Sequence, residues 1–215
     1  MATHTGAADL LASPGFQGIA DARVLAAVRA VPRSEFVPSD LAERAYLDIP
    51  LRIPHGQVTT QPSLVARMVE ALSLSGDERV LEIGTGYGWQ TALLARLADE
   101  VWSVERWDDL AETARENLRR HGVTNARVVV GDGTEGLPEA APFAAILVSA
   151  AFTEVPRPLG EQLVLGGRLV QPIGPGGLED VVLFERRPEG LVASRTVTGA
   201  HFVRLVGRHG FAEGR

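Results

Sequence analysis

Glu82 stands two residues ahead of Gly84, Gly86 and Gly88, three glycines at alternate positions in the run VLEIGTGYGWQ (residues 80–90). Glycine lets a ligand approach the backbone with no Cβ in the way, so this run is a candidate small-molecule site. The spacing narrows the choice of ligand. A dinucleotide fingerprint needs G-x-G-x-x-G with a pyrophosphate on the helix N-terminus, whereas G-x-G-x-G behind an acid suits a ligand carrying positive charge. A second acid, Glu105, ends the β-type run VWSVE about twenty residues after the first glycine, where Rossmann-like sites hydrogen-bond ribose hydroxyls. A third, Asp132, lies within Gly131-Asp132-Gly133 after another β-type run. Two readings of the trio are open: acids converging on one ligand at the ends of three strands, or solvated loop carboxylates and caps for the helices that follow.

Convergence requires a parallel sheet, and the pattern supplies one. Strand-like runs at 79–83, 101–105, 126–130, 144–149 and 167–173 alternate with helix-like runs at 88–98, 108–121 and 155–164. Such alternation predicts a doubly wound α/β fold covered on both faces, with its ligand crevice at the carboxyl ends of the strands where strand order reverses. After the Gly-Pro-Gly-Gly run at 174–177, β-type runs at 180–185, 191–197 and 201–206 predict an antiparallel finish. Upstream, Asp21 is placed to cap a helix over 21–30 that Pro32 ends, and Pro62 opens a helix over 62–72. Between them Pro32, Pro38, Pro50 and Pro54 interrupt any long element, leaving an irregular collar or lid. The small, polar residues 1–18 are expected to be loosely ordered. One domain over 19–208 follows, with a collar at 19–75, a core at 76–208 and a tail at 209–215.

A chain of 215 residues with 45% hydrophobic content suits one domain. With no cysteine, a disulfide framework, a thiolate zinc site and a cysteine nucleophile are excluded. The five histidines, His4, His55, His121, His201 and His209, lack metal-ligand spacing, and no metal is expected. A net charge of −6 without a dense basic block argues against nucleic acid as a partner. No apolar run approaches a membrane span and no basic leader precedes residue 18. A soluble, cytoplasmic monomer with no membrane partner is expected.

The runs VPRSEFVP (31–38), AYLDIPLRIPHGQVTTQP (45–62), VLEIGTGYGWQTALLA (80–95), VWSVER (101–106), VGDGTEGLPEAAPF (130–143), VSAAFTEVP (148–156) and LGGRLVQPIG (165–174) resemble, in this order, the protein-L-isoaspartate O-methyltransferase family. The resemblance spans roughly residues 20–208, and its G-Q-x-x-[ST]-Q-P segment is not general to methyltransferases. It implies a class I, S-adenosylmethionine-dependent methyltransferase with a Rossmann-like, mostly parallel seven-stranded sheet and one antiparallel member among the last strands. It assigns Glu82, Gly84, Thr85, Gly86 and Gly88 to the methionyl end of the cofactor, Glu105 to the ribose, and Asp132 and Gly133 to the adenine edge. Gln57, Val58, Thr59, Thr60 and Gln61 match the segment that closes over the methyl group and substrate, with Thr60 where the family usually has serine beside the reacting carboxylate. Val58 and Thr59 depart from the usual threonine and apolar residue, Ala144 from an aspartate, and Arg204 from the proline of F-V-P-L; the last two have no explanation in the sequence.

The implied acceptor is the free carboxylate of isoaspartyl residues in damaged proteins or peptides, whose ester cyclises to a succinimide and reopens partly as aspartate. A carboxylate with a pKa near 4 is already ionised at neutral pH, so no strong general base is needed. Positioning and water exclusion remain for the protein to supply. Thr60 would orient the acceptor, or Thr59 and Thr60 merely cap the helix at Pro62. His55 is a candidate substrate contact or a packing residue, Tyr87 and Trp89 are core or stacking residues, Trp102 is expected buried, and Trp107 stands close enough to reach an adenine. Three other functions stay in view. They are a related enzyme for one dedicated carboxylate, a nicotinamide oxidoreductase, which the glycine spacing disfavours, and an adenosyl-binding regulator without turnover.

Overall fold

The computed structural model describes residues 6–213. Short elements come first: α1 (Ala7–Leu11), a 3₁₀ turn at Pro14–Phe16, and α2 (Ala22–Ala30). The Asp21 carboxylate caps α2 as expected, accepting from the Arg23 amide at 2.8 Å. Two further 3₁₀ turns, Arg33–Phe36 and Ser39–Arg44, lead to a small antiparallel hairpin of β1 (Leu51–Arg52) and β2 (Val58–Thr59), and then α3 (Pro62–Ala71). This is the proline-interrupted collar.

The core follows as β3 (Arg79–Ile83), α4 (Trp89–Ala95), β4 (Glu100–Glu105), α5 (Asp108–Arg120), β5 (Ala126–Val130), β6 (Phe143–Val148), α6 (Arg157–Glu161), β7 (Leu163–Ile173), β8 (Glu179–Arg187) and β9 (Gly190–Ala200). Seven strands lie in the order β5-β4-β3-β6-β7-β8-β9, parallel from β5 to β7 and antiparallel across β7, β8 and β9. The chain winds outward from β3 to β5, then crosses to lay β6 on the other flank of β3. The turn after β3 therefore opens where the winding reverses.

Side chains alternate across the sheet. Val80, Val101, Leu147 and Val170 face a core built with α1–α4, while Leu81, Val104, Ile146 and Leu169 face a second core with Leu137, Phe143 and Leu159. Strands buried on both faces read as continuous apolar runs, which is why β3 and β6 were legible. Helices α4 and α6 are shorter than the expected 88–98 and 155–164: Gly88, left-handed at φ 89°, delays α4, and the chain has entered β7 by Leu163.

Two expectations are corrected. Residues 6–18 are not loose, because Leu10 and Phe16 are 1% and 5% exposed and belong to the first core; residues 1–5 lie outside the described residues. The run 201–206 is not a strand. It makes only isolated bridges, with the Ala151 amide donating to Val203 O at 2.8 Å and the Leu205 amide to Ala151 O at 2.7 Å. It crosses the carboxyl end of β6 instead of extending the sheet. The tail is tied as well, Phe211 donating its amide to Leu205 O.

Candidate active site

Parallel register sets Glu82 of β3 beside Ser103 of β4 on one flank and Leu147 of β6 on the other. Its carboxylate is fully enclosed and accepts from Gln90 Nε2 at 2.8 Å, Thr91 Oγ1 at 2.5 Å and Ser103 Oγ at 2.6 Å. Burial pushes the Glu82 carboxyl up to about 7, against those three hydrogen bonds, which favour the carboxylate. Glu82 thus lies behind the site wall and reaches it through Gln90, which lines the pocket. In this structure Glu82 neither lines the pocket nor is a solvated loop acid.

The pocket opens over the glycine turn. Gly84 (φ 95°) and Gly86 (φ 55°) have left-handed backbones that line it with Thr85, Glu105 and Gly133. Glu105 is 5% exposed and held by three amides: Gly86 to Oε2 at 2.9 Å, and Arg106 and Trp107 to Oε1 at 2.8 and 3.2 Å. A carboxylate offers about four acceptor sites, so Oε2 keeps capacity for a hydroxyl. Gly88 does not line the pocket. A Cβ there would meet Ala114 and Leu118 of α5 at 3.4 Å, so this glycine serves helix packing.

Asp132 is also turned away. Its carboxylate caps the 3₁₀ turn Gly133–Glu135, accepting from Thr134 N at 2.9 Å, Thr134 Oγ1 at 2.7 Å and Arg208 N at 2.7 Å. Burial opposes its charge, but those hydrogen bonds win and hold the carboxyl below its usual value. Asp132 lines a separate depression that shares Val104 with the pocket.

The collar contributes residues 57–60. His55 (φ 60°) and Gly56 (φ 67°) make the tight turn that folds β2 back on β1. Gln57, Val58, Thr59 and Thr60 then line the pocket. Arg33 fixes this strand from behind. Fully buried, it donates from Nη1 to the carbonyls of Ala45 (2.9 Å) and Leu47 (3.3 Å), and from Nη2 to Ile49 O (3.1 Å), Thr59 Oγ1 (2.8 Å) and Thr60 O (3.2 Å). Burial pulls its guanidinium down to about 10, so it stays charged at neutral pH. The Thr59 hydroxyl accepts from Arg33 and keeps its own proton to donate, whereas the Thr60 hydroxyl has no protein partner among the described residues.

Neither threonine caps α3. The Ser63 amide is taken by Asp48 Oδ1 at 2.9 Å, and Gln61 Nε2 is bonded to Asp48 Oδ2 at 3.0 Å, so Gln61 does not line the pocket. His55 lies outside the lining too. Its Nε2 meets both Asp109 carboxylate oxygens at 2.8 and 2.9 Å, and its ring stacks on Trp107 at 4.0 Å with the planes 7° apart. Trp107 is thereby occupied by His55 instead of lining the pocket. Trp89 is both core and lining, Tyr87 lines the pocket, and Trp102 is half-buried beneath Arg127, not buried.

Gln90, Ser149, Val203, Leu205 and Val206 line the pocket without having been singled out in the sequence, and Arg204, noted there only as a departure from the family's proline, lines it too. Ser149 carried a usable signal, since it follows the strand that flanks β3. Gln90 Nε2 donates to Ser149 Oγ at 2.8 Å, while Gln90 Oε1 is buried without a partner. Among the described residues no group of three or more His, Asp or Glu is placed to hold a metal ion, and no helix is long and apolar enough to cross a membrane.

The sequence model of the protein-L-isoaspartate(D-aspartate) O-methyltransferase family matches residues 7–210. The chain is 53% identical over 195 residues to the protein-L-isoaspartate O-methyltransferase of Methanoculleus marisnigri, covering 91% of this chain and 88% of that one. It is 48% identical over 206 residues to the protein of the same name from Myxococcus xanthus, covering 94% and 96%. A solved protein-L-isoaspartate O-methyltransferase superposes with a TM-score of 0.82 at 30% identity, covering 95% of this chain and 67% of that one. A Plasmodium falciparum protein solved in complex with S-adenosyl-L-homocysteine shares the fold, with a TM-score of 0.79 at 24% identity and coverage of 94% and 99%. A seven-stranded reversal-point pocket, a match over nearly the whole chain and relatives near half identity agree: this chain belongs to the protein-L-isoaspartate(D-aspartate) O-methyltransferase family.

Proposed function

We propose that the chain transfers the methyl group of S-adenosylmethionine to the free carboxylate of L-isoaspartyl residues in damaged proteins or peptides, releasing S-adenosylhomocysteine. The carrying observation is that one pocket gathers the glycine turn, Glu105 and residues 57–60, including the unpartnered hydroxyl of Thr60. The donor set fits such a cofactor. Gly84, Thr85 and Gly86 leave room for the methionyl end, the free capacity on Glu105 Oε2 suits a ribose hydroxyl, and the orphaned Gln90 Oε1 suits an N–H donor. Ile83, Val104 and Leu110 give the apolar wall a purine needs. Bound there, the cofactor supplies a methyl group on a cationic sulfonium.

The protein's part is positional. An isoaspartyl carboxylate is ionised at neutral pH, so no residue must take a proton from it. Thr60 donates its hydroxyl to that carboxylate and sets the line of approach. Residues 57–60, held by Arg33, shut out water and strengthen the attraction between opposite charges that disappear on transfer. A cytoplasmic monomer completes the proposal. The test is transfer of labelled methyl to matched peptides containing isoaspartate, aspartate or neither, with the intact protein and with Thr60→Ala. Transfer confined to the isoaspartyl peptide and weakened in the variant is expected; equal labelling of all three peptides would remove the assignment.

A further inference from the structure

A shallower groove continues from the mouth of the pocket, sharing Gln57, Arg106, Val203, Arg204 and Val206 with it. On its outer side it runs past Gly176 and Gly177, whose backbones at φ 118° and 110° carry no side chain into it. Its lining holds two arginines and no acid, in a chain whose net charge is −6. The two arginines are not equivalent. Arg106 is ion-paired with Glu213 and lies over Trp107 at 4.9 Å, so its charge is answered within the chain. Arg204 is exposed and has no carboxylate partner among the described residues.

Arg204 is nonetheless held in place. Its neighbours Val203 and Leu205 are bonded to Ala151, and Leu205 is 4% exposed, so the alternation of an extended segment turns Arg204 outward. The guanidinium rests over the Phe211 ring at 5.0 Å. Phe211 is itself fixed by its amide bond to Leu205 O and by edge-to-face contact with Phe152 at 4.9 Å. A guanidinium on a fixed aromatic platform loses little freedom when it binds a carboxylate, and its planar fork matches one.

We propose that Arg204 is a specificity-determining residue that selects, among isoaspartyl substrates, peptides with an acidic side chain near the modified residue, and that the groove is where that flanking segment lies. The proposal rests on the reading of the adjoining pocket as the isoaspartyl methylation site. At the mouth of that pocket, Arg204 adds attraction for one flanking carboxylate. An exposed charge pair of this kind is worth about two- to fivefold in kcat/KM at low salt and less at high salt.

The experiment uses isoaspartyl peptides identical except for Glu, Gln or Lys at single positions on either side of the isoaspartate, methylated by the full chain, by Arg204→Gln and by Arg204→Lys. The readout is the ratio of kcat/KM between Glu and Gln peptides for each protein, at low salt and at about 0.3 M salt. Expected is a Glu/Gln ratio of about two to five at one or more positions, close to one in Arg204→Gln, intermediate in Arg204→Lys and compressed by salt. The same ratio in the full chain and in Arg204→Gln, with methylation intact, overturns the role of Arg204 alone. Absence of methylation of every isoaspartyl peptide, with cofactor bound, overturns the pocket reading and this proposal with it.

Discussion

Replacing Arg33 with lysine keeps a buried positive charge but removes the fork that serves five acceptors spread over residues 45–60. A single ammonium nitrogen has three donors, and of the five acceptors only Leu47 O has a second donor, the Ile49 amide, so at least one acceptor is left without a partner in a site with no exposure. Each such orphan costs about 1–3 kcal/mol, and part is recovered if the collar loosens enough to admit water. A loss of about 1–3 kcal/mol in unfolding free energy is expected for Arg33→Lys, read by urea denaturation at neutral pH. The functional consequence is uneven. Arg33 bonds to Thr59 and Thr60 but not to Gly84, Gly86 or Glu105. Peptide kcat/KM should therefore fall by about tenfold or more, while the Kd for S-adenosylhomocysteine, measured by calorimetry, moves by less than about threefold. A variant as stable as the parent, or one that loses cofactor and peptide by the same factor, would refute the view that Arg33 holds the acceptor wall.

Glu82 gives a pH prediction. Its folded pKa, about 7, lies above the 4.5 of an unburied glutamate, so the folded state holds the extra proton between those values and stability falls as pH rises through that window. At about 1.36 kcal/mol per unit the window is worth roughly 3 kcal/mol. Glu82→Gln should flatten it, and parallel stability curves for the two proteins at pH 5 to 8 would count against the assignment. Gly86→Ala forces a side chain into a left-handed position at φ 55°, costing about 1–2 kcal/mol, and sets a methyl 3.5 Å from Ile53 Cδ1 on the pocket floor. Cofactor affinity is expected to drop by about tenfold, read by calorimetry. His55→Asn tolerates the positive φ but removes the Trp107 stack and shortens the reach to Asp109. A rise in peptide KM of about threefold with kcat kept is expected, because the hairpin turn is freed while Thr60 stays on Arg33; a fall in kcat alone would place His55 in the chemistry.

The sheet was legible because β6 is a continuous apolar run and β3 and β4 are apolar runs interrupted by Glu82 and Ser103, each followed by glycine, acid or serine, and a strand buried on both faces has few other ways to read. What escaped depends on distant partners. α1 is five residues of ordinary composition, and only docking of Leu10 and Phe16 makes its segment core. An arginine at position 33 is buried only because the loop 45–49 and Thr60, beyond the hairpin, bring their carbonyls around it. The cap of α3 comes from Asp48, too far back for a local capping rule, so the threonines beside the helix were natural but wrong suspects. Residues 201–206 have β-type composition, yet their partner is a bend after β6 and not a strand edge. In the site the glycine turn and Glu105 were visible because ligand approach constrains backbone and spacing. His55, Gln61, Gly88 and Asp132 carry the family pattern too, but they maintain the shape of the pocket instead of lining it.

Asp132 with Gly133 is the chain's one Asp-Gly pair, the sequence at which a backbone amide most readily attacks the preceding carboxyl and begins the very lesion that isoaspartyl methylation addresses. Ring closure needs a free, protonated side chain and a flexible backbone. Here the carboxyl is kept ionised, tied by Thr134 and Arg208, and set in a 3₁₀ turn whose Gly133 is packed against Ile83. The cap that shapes the pocket edge thus shields the protein from ageing at its own most vulnerable bond. Prolonged incubation followed by peptide mass spectrometry should find residue 132 intact in the folded chain and converted in the unfolded one.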